Sequence, residues 1–328
     1  MHFTRLMKSD FSAFNFTIFA ETISCMNALI FYIAIPFIWL FTALPFFILF
    51  RISDFFYLLT RLVGYRSKII DKNLRNSFPG KEKKEIRRIK RKYYRHFADI
   101  FFETFKGLFL NSNQIKKRYK FRNLEILEDL YKNNRSVMLV TGHYGNWEWM
   151  ISLPLHNNQF DTLIAYRPLH NPFFDKFIYK VRIKFGAKLI SMQQTPKTIL
   201  EYSRQNKRII SYLLVDQAPR KENPFWITFL NQPTQFFQGA ERISMKTKQA
   251  VVYADIQKKK RGYYEIYFDL LFEKPEETKP GEITTRIVRR LEQEIITRPE
   301  FWLWSHNRWK RSYLFNEQDE QLANNSNA

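Results

Sequence analysis

The chain has 328 residues, 45% of them hydrophobic and 17% aromatic, which is ample for a packed core and excludes a disordered chain. Lys and Arg number 53 against 31 Asp and Glu, a formal net charge of +22, so the partners to expect are anionic: nucleic acid, an anionic membrane, a phosphorylated substrate or an acidic protein. The single cysteine, Cys25, excludes an internal disulfide and a cysteine-built zinc site.

Residues 1–21 form a short N-terminal segment. Residues 22–50 then run for 29 positions without a charge. About 20 apolar residues suffice to cross a bilayer core. The run is too long for a secretory signal, and it ends in Phe46-Phe47-Ile48-Leu49-Phe50-Arg51, which is no cleavage site. The expectation is a retained membrane anchor, which Pro36 and Pro45 kink or split into a dipping hairpin. The alternative is a buried helix of a soluble core. Residues 51–95 carry 15 basic and 4 acidic side chains. That flank is expected to stay on the cytoplasmic side against anionic headgroups.

Residues 51–120 read as a basic, amphipathic helical region. Within it, Ile86, Ile89, Tyr93, Phe97, Ile100, Phe101 and Leu108 recur at steps of three and four, predicting a helix over 81–108. Its basic face suits either a solvated cover over a core or a membrane-surface helix. From 121 to 315, strands are predicted at 136–141, 161–166, 187–191, 208–215, 249–257 and 262–269. Helices are predicted at 146–157, 171–185, 194–205, 234–247 and 283–297. Asn171-Pro172 and Thr195-Pro196 each place a cap residue before a proline, and Gly186 is a stop signal. The alternation gives an α/β fold, a central mixed sheet flanked by helices. The polar tail, 316–328, is expected to be disordered.

Chemistry concentrates at His143-Tyr144-Gly145-Asn146-Trp147-Glu148, directly after the apolar run that ends in Thr141 and Gly142. On one regular helix, side chains five apart would diverge by about 140°. They meet if His143 lies in the strand-to-helix turn and Glu148 in the helix's first turn, with Gly142 and Gly145 permitting the turn and Asn146 capping the helix. A carboxylate on one ring nitrogen fixes the tautomer and leaves the other nitrogen to take a proton from a hydroxyl. By spacing alone, a structural histidine fits as well. There is no Gly-x-Ser-x-Gly elbow, no phosphate loop and no dinucleotide fingerprint, so direct attack by a substrate hydroxyl is the simplest use of such a base.

The block Val140-Thr141-Gly142-His143-Tyr144-Gly145-Asn146-Trp147-Glu148 resembles the His-x4-Asp/Glu motif of the bacterial lipid A late acyltransferases. Four further blocks agree in order: Gly64-Tyr65-Arg66 with Asn73-Leu74-Arg75-Asn76-Ser77-Phe78-Pro79; Tyr166-Arg167-Pro168-Leu169 with Asn171-Pro172; Asp216-Gln217; and Trp302-Leu303-Trp304-Ser305-His306 with Arg308-Trp309-Lys310. The resemblance covers roughly residues 25–312. It implies a glycerolipid-acyltransferase-like fold in the bacterial inner membrane, its catalytic domain facing the cytoplasm. It also implies transfer of a fatty acyl group from a thioester, usually acyl carrier protein, to a hydroxyl of a lipid A precursor. Carried over, His143 is the general base and Glu148 its partner, while Arg167 and Asp216 serve the substrate. Arg167 has a structural alternative, a bidentate pair with Asp216 or Glu148, and Asp216 one as a loop cap.

No cofactor and no metal are expected. His96, His156, His170 and His306 read as structural or surface residues. Phe225 to Leu230 with Phe236 and Phe237 read as core or as the lining of an acyl groove. Asp216-Gln217 continues as Ala218-Pro219-Arg220-Lys221, unlike the best-known members, which opens the acceptor to another membrane glycolipid or an aminolipid. A rival of another class is a basic membrane- or nucleic-acid-binding protein without catalysis. It gives His143 and Glu148 no reason, so no nucleic-acid partner is expected.

Overall fold

A computed structural model describes residues 25–219 and 225–315. The expected N-terminal segment, the start of the anchor, Arg220 with Lys221, and the polar tail lie outside the described residues. The first helix, α1 (Cys25–Ala43), is long and apolar enough to cross a membrane by length and composition, and almost none of it is buried. At Pro45 the chain breaks and restarts as α2 (Phe46–Leu62). Proline tolerates the first turn of a helix but not its interior, so Pro45 separates two helices. Two more helices follow, α3 (Ser67–Ser77) and α4 (Lys83–Lys106). The latter buries Ile86, Ile89, Tyr93 and Ile100 as its spacing predicts.

The α/β core comprises nine strands and six α-helices in the order α5 (Ser112–Arg118), β1 (Tyr119–Phe121), α6 (Glu125–Lys132), β2 (Val137–Thr141), β3 (Asp161–Tyr166), α7 (Pro172–Ile183), β4 (Lys188–Ser191), α8 (Thr195–Arg204), β5 (Ile209–Leu214), β6 (Phe225–Phe229), β7 (Gln232–Phe236), α9 (Gly239–Thr247), β8 (Ala250–Lys260), β9 (Tyr263–Phe272) and α10 (Glu282–Thr297), counted among the described residues. Seven strands make one sheet in the order β1-β9-β8-β2-β5-β3-β4. It is mixed, as expected: β8 and β9 are antiparallel, and every other pair is parallel. Alternate residues of β2 feed the two faces. Met138 and Val140 join the core layer that includes α3, α8, α9 and α10, while Val137 and Leu139 join the layer under α5 and α6. Burial on both faces is why this strand reads as an unbroken apolar run.

Two expected helices differ. Residues 147–155 form a 3-10 stretch, Trp147–Leu155, with Pro154 inside it. A proline there withholds the N–H that an α-helical turn would use. The helix expected over 234–247 begins only at Gly239, because Gln235 and Phe236 pair with Trp226 and Phe225 in a β6–β7 hairpin. The hairpin turns on Leu230 and Asn231, both at positive φ (50° and 61°), the geometry of a two-residue turn that follows strand twist. Trp226, Ile227, Phe229, Leu230 and Phe236 are buried core, and Phe237 is exposed.

Candidate active site

Parallel register builds the site. Thr141 at the end of β2 lies opposite Leu214 at the end of β5, and Val215 N–H donates to the Thr141 carbonyl. Two residues beyond each strand end stand His143 and Asp216. They meet at the carboxyl edge of the sheet, where ligands of parallel α/β folds collect. The contact is close: His143 Nδ1 lies 2.6 Å from Asp216 Oδ1, and the His143 backbone N–H donates to Oδ2 at 2.8 Å. Trp302 Nε1 donates to the same Oδ2 at 2.8 Å.

The turn between β2 and the 3-10 stretch has no room to shift. A Cβ at Gly142 would sit 2.7 Å from Leu291 Cδ1 and 3.2 Å from Asp216 Oδ2. Gly145 adopts φ +58°, and a Cβ there would meet Ile256 at 2.7 Å. The C-terminal segment braces the turn from outside: Tyr144 forms a β-bridge with Trp302, Gly145 N–H donates to the Phe301 carbonyl, and Leu303 N–H donates to the His143 carbonyl. From within, Asn146 Oδ1 accepts from Trp149 N–H as a cap, and its amide donates to Glu103 Oε2 at 2.9 Å. Glu103 is fully buried, and burial pushes its carboxyl up to about 7 despite help from Lys258, Tyr264 and Asn146. His96 Nε2 lies 3.3 Å from the Gly145 carbonyl, so this buried histidine supports the turn.

Asp216 occupies the position on the ring that the sequence reading gave to Glu148. Among the described residues no hydrogen bond joins Glu148 to His143. Glu148 instead takes a two-pronged pair from Arg182 on α7, with Nη2 at 3.0 and 3.1 Å and Nε at 3.4 Å. The reason is geometric. His143 lies in the turn and Glu148 at the start of the 3-10 stretch, while register delivers Asp216 directly to the ring. Asp216 is therefore a buried hydrogen-bond partner of His143. Arg167 follows the end of β3, on the same edge of the sheet, and is exposed. Among the described residues it makes no hydrogen bond or ion pair, so neither structural pairing considered for it occurs. Arg182 was missed by sequence reasoning; its only signal was a cation near the end of a predicted helix.

The electrostatics follow from burial and partners. Burial works against a charged His143 ring, but the charge and hydrogen bond of Asp216, with a contribution from Glu148, outweigh it and raise the ring's pKa above its ordinary value. Burial alone would raise Asp216; the ring, the His143 amide and the Trp302 indole hold it well below the usual carboxylate range. With Nδ1–H committed to Asp216, Nε2 presents its lone pair, and the Gln217 amide donates to it across 3.1 Å. His143 and Trp147 meet edge to face at 5.2 Å. His306 is packed near the tryptophans, and burial lowers its pKa to about 4. Among the described residues no group of three or more His, Cys, Asp or Glu could hold a metal ion.

A histidine held by a buried carboxylate at the sheet's carboxyl edge, its second nitrogen met by Gln217, is an arrangement that can serve as a base. The sequence around it matches the family model for bacterial lipid A biosynthesis acyltransferases over residues 16–311. The chain belongs to that family. A lipid A biosynthesis acyltransferase of Haemophilus influenzae is 22% identical over 183 residues, covering 55% of this chain and 56% of the relative. The chain thus spans little more than half the length of that curated relative. For a lipid A acyltransferase family member, the family motif now has its physical parts: His143 as the ring, Asp216 as its clamp, and Glu148 with Arg182 as a charged pair alongside.

Proposed function

We propose that the protein transfers a fatty acyl group from an acyl thioester, carried by acyl carrier protein, to a hydroxyl of a lipid A precursor at the bacterial inner membrane. The anchor over residues 22–50 holds it there, and the catalytic domain faces the cytoplasm. The observation that carries this reading is His143 Nδ1 on Asp216 with Nε2 met, among the described residues, only by the Gln217 amide, in a chain matched to the family over most of its length. The apolar α1 supports the membrane part.

The acceptor hydroxyl takes the place of the Gln217 amide at Nε2. His143 removes the hydroxyl proton as the oxygen attacks the thioester carbonyl. Asp216 stabilises the imidazolium through Nδ1, and Glu148 adds a second negative charge nearby. The tetrahedral adduct then expels the thiolate, which receives the proton back from Nε2 and leaves as a thiol, with the acyl group now an ester. Gln217, freed from the ring, is placed to donate to the developing oxyanion. Arg167, exposed at the sheet edge, is assigned to the charged headgroup of the substrate. Nothing in this sequence of steps calls for a metal or cofactor.

The test is to incubate membranes containing the protein with acyl-acyl carrier protein and a tetraacylated lipid A precursor, then weigh the lipid by mass spectrometry. One added acyl chain, lost in His143→Ala, is the expected result. Transfer undiminished by His143→Ala would remove the assigned base. Transfer only to another glycolipid or to an aminolipid would retain the mechanism and change the acceptor.

A further inference from the structure

Helix α1 is clamped near both ends, to the end of α4 at one and to the start of α7 at the other. At its C-terminal end, the buried Lys106 ammonium donates to the Thr42 carbonyl at 2.6 Å and the Leu44 carbonyl at 2.9 Å, and Trp39 packs edge to face on Phe109 at 4.7 Å. Near its start, Asn171 donates its amide to the Asn27 carbonyl at 2.9 Å while its oxygen accepts from Phe173 and Phe174 N–H to cap α7. Phe31 sits among Phe173, Phe174 and Phe177 of α7, at 5.8, 5.1 and 6.1 Å between ring centroids.

From Asn27 to Thr42 a helix rises about 22 Å. The hydrocarbon core of a bilayer is about 30 Å thick. If α1 stood upright in that core with Thr42 at its edge, the start of α7 would lie deep in hydrocarbon. Asp175, Lys176 and Lys180 of α7 would go with it, and so would the irregular backbone before Asn171, where Asp175 accepts from Leu169 N–H at 2.9 Å. Lipid does not accept exposed irregular backbone, and charges at that depth are costly.

The next helix is built for a surface. Its exposed row is Phe47, Arg51, Phe55, Leu58, Leu59 and Leu62, at steps of mostly three and four, with Phe47 71% and Leu62 85% exposed. An apolar stripe carrying arginine is the pattern of a helix in the headgroup boundary. It continues from α1 after the single break at Pro45.

We infer that α1 lies along one leaflet instead of crossing the bilayer, flat on the flank of the α/β domain, with the aromatic start of α7 and the outer stripe of α2 against the same lipid. The occupant of this face is the headgroup–hydrocarbon boundary of one leaflet. The inference rests on the membrane association proposed above and specifies its form. It also puts α7, whose Arg182 holds Glu148 beside His143, in contact with the membrane that carries the acceptor.

The experiment uses the full chain with an epitope at each terminus, reconstituted into sealed vesicles of phosphatidylethanolamine with a minority of phosphatidylglycerol, floated, then treated with protease from outside. The expected result is that both epitopes are lost from the same molecules, with no molecule keeping only one of them, because both ends stand on one side. Vesicles that float with the protein but protect the N-terminal epitope of molecules whose C-terminal epitope is cleaved would overturn the inference and leave membrane association intact. Protein that does not float with the vesicles would overturn both.

Discussion

Two carboxylates flank His143, and they are built in opposite ways. Asp216 is buried and receives three donors from two chain positions, the His143 amide and ring and the Trp302 indole. Glu148 is part-exposed and is held by a single arginine. The buried carboxylate sets the tautomer and the charge of the ring. The part-exposed one reaches solvent, and a partly exposed ion pair is worth only about 0–1 kcal/mol to stability. The contrast teaches that adjacency in a motif does not rank partners; the strand register does.

Substitutions can break this contrast at graded cost. His143→Ala removes the base, and the rate of acyl transfer should fall about 10⁴-fold, the upper end for general-base catalysis, with the circular dichroism spectrum unchanged. Asp216→Asn leaves the ring in place but invites the wrong tautomer, and a loss on the order of 10³–10⁴ is expected in single-turnover rate. Glu148→Gln should cost only about tenfold, the equivalent of roughly one unit of lost charge stabilisation on the ring. If Glu148→Gln were the more damaging of the two carboxylate changes, the ranking would be reversed.

The pH profile sharpens the same contrast. The neutral ring is the base, so kcat/KM should rise with pH through the His143 pKa, which Asp216 raises above the ordinary 6.5. Removing the Asp216 charge removes the largest raising influence, so the rising limb in Asp216→Asn should move to lower pH. In Glu148→Gln it should move the same way by less. Trp302→Phe is the mildest test. It deletes one of the donors that hold Asp216 down, and a loss of about 1 kcal/mol in unfolding free energy, measured by urea denaturation, is expected for one buried hydrogen bond.

The centre of the sheet was legible from the sequence because β2 and β5 are buried on both faces and read as short apolar runs between turn signals. The strand at 161–166 falls where it was read, and His143 stood out for the same reason, at the end of one such run. The carboxylate that meets its ring did not stand out. Asp216 ends a different run, and nothing local says that the two runs are neighbours with matched ends. Arg182 was hidden because its pairing depends on how α7 is laid against the turn. The β6–β7 hairpin was hidden by its own turn: leucine is a poor turn former, so Leu230 at positive φ gives no signal in the sequence. Glu103 and His96 sat in what read as a basic amphipathic helix, and only packing reveals that they support the turn that carries His143.

The bridge between Tyr144 and Trp302, with the indole of Trp302 on Asp216, has a consequence for synthesis of the chain. The ring and its carboxylate are translated well before the tryptophan that secures them. A nascent chain still short of residue 302 carries His143 and Asp216 yet lacks the indole that braces the carboxylate. The aligned geometry of the site therefore arrives late on the ribosome, after the whole sheet and α10 have been made.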